Sequence, residues 1–201
     1  MAQRLSDLTE NQALKIDLQK AEQRAIAGDK SAAFSAYRTA LKTAESAEGV
    51  NSPAVGDICC ILSGLYEETK NNPKKAAELL ARAYKISVTE LGSTAVETGK
   101  ILYNLGRLYK ILGNDKRAAG AFIRALEIVE RDLGGESAIV ASILNNMGDI
   151  YENNGEQAKA REYYIKARQI FDAALQADPV ELALLNEKLK NMGVDTDSAD
   201  L

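Results

Sequence analysis

Three basic side chains lie within one short stretch of the chain and could bind an anion. Lys100, Arg107 and Lys110 have offsets that bring neighbouring members near the same side of a helix. Ammonium and guanidinium groups arranged in this way can hold the C-terminal carboxylate or an acidic side chain of a peptide. The alternative is a solvated helix face, because exposed charges often serve only solubility.

No combination of residues indicates catalysis or a metal site. The chain has no histidine, and it contains no phosphate-binding loop, dinucleotide fingerprint or nucleophile elbow. Cys59 and Cys60 are adjacent within a predicted helix, where consecutive side chains diverge, so a disulfide between them is not expected. We therefore predict a protein that is not an enzyme and that uses neither a cofactor nor a metal ion.

Composition and charge narrow the range of partners. The net charge is -4 with an isoelectric point near 5.1, so the overall field does not favour phosphate-driven binding of nucleic acid. No stretch approaches the roughly 18 apolar residues that span a bilayer, and residues 1–20 have no apolar core of a signal peptide. We predict a cytoplasmic protein with no nucleic-acid or membrane partner.

Helix signals divide the chain clearly. Ser52-Pro53, Asn72-Pro73 and Asp178-Pro179 each place an N-cap before a first-turn proline, and Thr94 with Glu97 is typical of a capping box. Glycines follow the apolar-periodic runs, where a left-handed C-terminal position is expected. These glycines are Gly92, Gly113, Gly134, Gly155 and Gly193. The signals predict about nine helices at residues 6–27, 29–48, 52–70, 73–91, 94–112, 115–133, 137–154, 156–176 and 179–192.

Parts of the chain repeat themselves at a spacing of 42 or 43 residues. The matching sets are Ala76, Ala118 and Ala160; Leu80, Phe122 and Tyr164; Ala83, Ala125 and Ala167; and Tyr66, Tyr109 and Tyr151. Gly106 and Gly148 recur inside predicted helices, where glycine costs about 1 kcal/mol relative to alanine. We expect two helix backbones to approach closely there, opposite Ala118 and Ala160. Fixed periods in this range indicate stacked helical hairpins.

The run Leu102-x-x-Leu105-Gly106-x-x-Tyr109, followed by Ala118-x-x-x-Phe122-x-x-Ala125, resembles the tetratricopeptide repeat. The period of 42 or 43, against about 34 in the standard repeat, is similar to the long repeats of kinesin light chains. The resemblance implies an all-α, right-handed superhelical stack of about four antiparallel hairpins with a C-terminal capping helix. Pairs of helices with HEAT-type repeats share the period but lack these signature residues.

In proteins similar to this one, the first helix of each hairpin lines a concave groove that binds peptides. The resemblance therefore implies that a groove is formed by positions along the first helices. The expected peptide-binding residues are Lys100, Tyr103, Asn104, Arg107, Lys110, Asn145, Asn146 and Asp149. Asn104 and Asn146 occupy the same repeat position, and their carboxamides could grip a peptide backbone. Tyr103 is the expected aromatic anchor.

The ends of the chain complete the predicted organisation. Leu182, Leu185, Leu189 and Met192 form an apolar stripe with which the last helix can cover the fourth hairpin. The expected domain is a single stack over residues 1–193, with units at about 6–48, 52–91, 94–133 and 137–176 and a capping helix at 179–192. Residues 194–201 carry three aspartates and are expected to form an acidic flexible tail.

The leading functional hypothesis is an adaptor or scaffold that binds a peptide segment of a partner protein in the groove. Two alternatives stay open. One is a self-assembling structural protein, for instance a homodimer joined through its end helices. The other is a chaperone that uses the same groove for its clients.

Overall fold

A computed structural model describes residues 5–7, 9–173 and 178–196. This part of the chain contains one short 3-10 turn and nine α-helices and has no strand. The turn is η1 (Leu5–Asp7), and the helices are α1 (Gln12–Ile26), α2 (Lys30–Ala47), α3 (Pro53–Lys70), α4 (Pro73–Glu90), α5 (Val96–Ile111), α6 (Asp115–Leu133), α7 (Ala138–Asn153), α8 (Gln157–Ala173) and α9 (Pro179–Asn191). The all-α class and the number of helices are confirmed.

Most helix ends follow the predicted capping residues. The side chains of Ser52, Asn72 and Asp178 each accept a hydrogen bond from a backbone N–H in the first turn, and a proline follows each of them. The five predicted glycines all have positive φ, as has Asn71 at the end of α3. Local chemistry therefore sets the length of most helices.

The first helix begins later than predicted. The sequence pattern placed its start near residue 6, but α1 begins at Gln12 after the N-cap Asn11, whose side chain accepts a hydrogen bond from the Leu14 N–H. The Thr9 hydroxyl in turn accepts from the Asn11 N–H and donates to Glu48. These bonds fix a separate entry segment before the helix. The fifth helix also begins late, at Val96 rather than at residue 94.

The polypeptide divides into two compact units, Met1–Ile101 and Leu102–Leu201, with the division inside α5. In the first unit, α1 pairs with α2 and α3 with α4, and α2 packs against α3. One continuous core joins these helices. Leu14, Leu18 and Ala21 of α1 are buried in it, so the apolar stripe of the first helix is used inside the unit.

The second unit has its own core. Helices α7 and α8 form its most extensive hairpin, α6 packs against α7, and α9 packs against α8. Leu185 and Leu189 of α9 are fully buried, which confirms the predicted packing stripe of the last helix. Val194 and Thr196 are also buried at the start of the expected tail, whose remaining residues 197–201 lie outside the described part.

Two helical glycines of this unit, Gly106 and Gly148, each face an aromatic ring. A Cβ placed on Gly106 would lie 2.5 Å from Cε1 of Phe122, and one on Gly148 would overlap the ring of Tyr164. The expectation of two backbones in close approach is therefore wrong, because the ring of the second helix fills the space beside the glycine. In both hairpins, the second helix carries a large ring at the position that faces a glycine of the first helix.

Candidate functional site

The predicted peptide-binding residues lie on two helices. Lys100, Tyr103, Asn104, Arg107 and Lys110 are carried by α5, and the remaining three are carried by α7. Lys100 is exposed and belongs to the first unit, whereas the other seven belong to the second unit. The structure brings Lys110, Asn145, Asn146 and Asp149 into one hydrogen-bonded network, together with residues from α8 and α9.

Asp149 is the centre of this network, which we call the Asp149 network. Lys110 Nζ donates to Asp149 Oδ2 across 2.5 Å, and Lys188 forms an ion pair with Oδ1. The Tyr164 hydroxyl lies 2.7 Å from the same Oδ1. Burial raises the pKa of the Asp149 carboxyl, but the ammonium groups of Lys110 and Lys188 outweigh burial and hold this pKa below its usual value.

Both asparagines of α7 are buried and use both ends of their carboxamides. Asn146 donates to the Ser142 carbonyl across 2.7 Å and accepts from Lys110 across 2.6 Å. Asn145 donates to Glu181 across 3.2 Å and accepts from Lys188 across 3.1 Å. Both ends of each carboxamide therefore already have a partner within the chain.

The last helix contributes two residues that sequence reasoning did not assign to the site. Glu181 accepts from the hydroxyl of Ser142 and from Asn145, and Lys188 reaches Asn145 and Asp149. Three of these links, Lys110 to Asp149, Asp149 to Lys188 and Ser142 to Glu181, each join residues 39 positions apart. A search for complementary polar residues at a constant offset just under the repeat length could have found them.

The hydroxyl of Tyr164 connects the core to this network. Its oxygen lies 2.7 Å from Asp149 Oδ1 and 2.7 Å from Glu152 Oε2. Burial raises the pKa of this hydroxyl, and the two carboxylates beside it, either of which can accept its one hydrogen, raise the pKa further. Lys188 Nζ lies 4.9 Å from the centre of the Tyr164 ring, a cation–π distance.

Tyr103 is half-buried, and its ring packs near Phe122 with 6.2 Å between ring centres. Burial raises the pKa of its hydroxyl, and the nearby Glu181 carboxylate raises it as well. The expected aromatic anchor is therefore a packed side chain whose hydroxyl lies beside α7 and α9. Asn104 and Arg107, on the same helix, are also half-buried.

The two cysteines are in the first unit and are not joined by a disulfide. Cys59 is buried and Cys60 is half-buried, and burial raises the pKa of the Cys59 thiol to about 11 and that of Cys60 to about 12. Across the described ranges, no group of three or more Cys, Asp or Glu side chains is placed to hold a metal ion. In that same part of the chain, no helix is long and apolar enough to cross a membrane.

Comparison with known proteins identifies the repeat. The family model for the tetratricopeptide repeat matches residues 97–173. The crystal structure of BtubC (BKLC) from P. vanneervenii is 30% identical, with a TM-score of 0.73, and the match covers 94% of this chain and 74% of that one. No curated protein matches the chain.

Two further solved structures share the fold at lower identity. A putative kinesin light chain from Podosopora anserina with nearly identical TPR-like repeats is 17% identical, with a TM-score of 0.70, over 96% of this chain and 91% of that one. MamA is 22% identical, with a TM-score of 0.58, over 88% of this chain and 82% of that one. The fold is a TPR-like stack of helical hairpins, and the chain belongs to the tetratricopeptide repeat family.

Proposed function

We propose that the chain is an adaptor that binds a peptide segment of a partner protein on the α5–α7 face of its second unit. Proteins of this repeat family generally mediate protein–protein interactions and are not enzymes, which supports an adaptor. The observation that carries the choice of face is the convergence of Lys110 and Lys188 on Asp149 beside two buried carboxamides. The proposed contacts all belong to the second unit: Tyr103, Asn104, Arg107, Lys110, Asn145, Asn146 and Asp149.

The network suits exchange of partners because each of its bonds has a close equivalent in a peptide. A peptide carboxylate can replace Asp149 as the acceptor for Lys110, and a peptide N–H can replace Lys110 as the donor to Asn146. Each exchange substitutes one polar bond for another, so the net cost is small compared with leaving a buried group unpaired. Lysine side chains have flexible stems and can move without a change in the helices.

A displayed library of random peptides tests this proposal. Peptides selected on the wild-type protein would be measured by calorimetry against Asn104→Ala, Lys110→Ala and the control Lys116→Ala, which changes an exposed lysine on α6. We expect Lys110→Ala to weaken binding about tenfold, equivalent to the loss of one charge-assisted bond of about 1.4 kcal/mol. Equal affinity of all four proteins for every selected peptide would contradict the proposed face.

Self-assembly is the second candidate because α9 keeps an exposed apolar pair. Val180 and Leu184 lie one helical turn apart and are 67% and 55% exposed. A second copy could cover them. We expect Val180→Ser with Leu184→Ser to abolish any rise in mass with concentration in analytical ultracentrifugation. A wild-type mass that stays monomeric throughout the concentration series would exclude this candidate.

A further inference from the structure

A basic groove lies between α1 and α2 in the first unit. None of its lining residues belongs to the Asp149 network. It has a volume of about 660 Å³, within the range of about 300–1,000 Å³ that is typical of ligand pockets. Ala27, Ala32 and Ala36 line it and leave it open because their side chains are short. An adjoining depression of about 250 Å³ shares Ser35 and Thr39 with it.

The charged residues along this groove all have the same sign. Lys20 and Arg24 line it from α1, while Arg38 and Lys42 line the adjoining depression from α2. None of the described lining residues is acidic. Among the described residues, no ion pair involves any of these four side chains. The groove therefore presents unneutralised positive charge.

Two nearby carboxylates are already engaged, and one of the cations is held in place. Asp17 of α1 accepts a hydrogen bond from Thr43 across 2.7 Å, and Glu45 of α2 is paired with Arg82. The Arg38 guanidinium lies 5.9 Å from the centre of the buried Phe34 ring. This stacking reduces the freedom that Arg38 would lose when it binds an anion.

The two hydroxyl groups that line the groove are available only as hydrogen-bond acceptors. Ser35 Oγ donates to the Ser31 carbonyl across 3.2 Å, and Thr39 Oγ1 donates to the Ser35 carbonyl across 3.3 Å. Because each hydroxyl has one hydrogen, these bonds leave only lone pairs for a ligand. The best complement carries anionic groups for the four cations and N–H donors for the two hydroxyls.

We propose that this groove docks an acidic peptide segment, a run of Asp or Glu residues in a partner protein. The peptide's carboxylates contact Lys20, Arg24, Arg38 and Lys42, and its backbone N–H groups donate to Ser35 and Thr39. A nucleic-acid backbone fits less well because its phosphates offer no N–H donors, and no aromatic ring lines the groove in the described residues to stack a base. The proposal does not depend on peptide binding at the α5–α7 face.

The test uses the whole chain and a fluorescent peptide of alternating Glu and Ala, followed by anisotropy at low salt. The variant Arg24→Glu with Arg38→Glu is compared with the control Lys116→Glu with Arg161→Glu, which makes the same charge change at exposed sites on α6 and α8. We expect the groove variant to bind the peptide about tenfold more weakly. Two exposed ion pairs with the peptide are lost, and repulsion between like charges replaces them. The control should bind within about twofold of wild type.

Two further measurements test the charge effect and distinguish a peptide from a nucleic acid as the ligand. The variant Arg24→Gln with Arg38→Gln removes the same two positive charges without adding negative ones, so it should also bind the peptide more weakly. Circular dichroism checks that each variant is folded. Thr39→Val should weaken the peptide while leaving a single-stranded oligonucleotide of equal charge unaffected. Absence of peptide binding to the wild type, equal losses in the groove and control variants, or tighter binding of the oligonucleotide would each overturn the proposal.

Discussion

The Tyr164 hydroxyl lies 2.7 Å from Asp149 Oδ1, so a ring buried in the core of the second unit ends on a carboxylate of the proposed binding face. Asp149 also holds Lys110 from α5 and Lys188 from α9. One side chain of α7 is therefore bonded to α5, α8 and α9. A change at Asp149 should affect both the stability of this unit and its binding face.

Asp149→Asn should lower the free energy of unfolding. The substitution keeps the shape of the side chain but leaves two lysines without their anion, and hydrogen bonds to charged groups contribute about 2 kcal/mol. Urea denaturation monitored by circular dichroism would measure the loss. Glu156→Gln is the control because its ion pair with Lys159 is exposed and screened by solvent, so its loss should change stability little. Equal stability of Asp149→Asn and wild type would contradict this account of the network.

The stability difference between wild type and Asp149→Asn should depend on pH. The pKa of Asp149 is lower in the folded chain than in the unfolded chain, so the charged form is favoured by folding. This stabilisation is complete above the unfolded pKa of about 3.9, and it is lost as pH falls through the lower folded value. The difference should therefore stay constant near neutrality and shrink in acid. A difference that grew as the pH fell would show that folding raises the pKa of Asp149 rather than lowers it.

Gly106→Ala and Gly148→Ala should each destabilise the second unit. The added methyl group overlaps the ring of Phe122 or Tyr164, and overpacking of this kind costs about 1–3 kcal/mol. This cost exceeds the gain of up to about 1 kcal/mol from replacing a helical glycine. Gly120→Ala is the matched control because its Cβ meets open space in α6, so it should be neutral or stabilising in thermal unfolding. If all three variants were stabilised, the packing of ring on glycine would be excluded.

Cys59 and Cys60 should react slowly with iodoacetamide at neutral pH. With pKa values of about 11 and 12, the reactive thiolate is a fraction on the order of 10⁻⁴ or less at pH 7. Mass spectrometry over time should show slow labelling of the native protein and fast labelling in urea, where burial is lost. Rapid modification of the native chain at Cys60 would mean that its thiol is activated rather than suppressed.

Local signals predicted the helices because capping and periodicity act within a few residues. Pro53, Pro73 and Pro179 stand at the first turn of their helices, as the sequence indicates. At the start of α1, the N-cap Asn11 is a local signal that the prediction overlooked, whereas the bond between Thr9 and Glu48 joins residues far apart in the sequence. Local propensity has no access to that pairing.

The Asp149 network was predicted only in part, because its bonds join residues that are far apart in the sequence. Asn146 and Asp149 were placed on the correct helix, but their partners Lys110 and Lys188 are decided by how neighbouring helices pack. Asn145 is bonded to Glu181 and Lys188, which reach across to α7 from α9. A helical pattern predicts which face of the helix a residue lies on. Its hydrogen-bonding partner depends on the distances between helices.

The pairing of glycine with an aromatic ring makes two distant sequence positions share a single volume. Where the repeat has Gly106 or Gly148, the second helix supplies Phe122 or Tyr164; where it has Ser63, the second helix supplies the smaller Leu80. Anyone recombining these repeats, or transplanting one hairpin into another scaffold, would have to exchange both positions together.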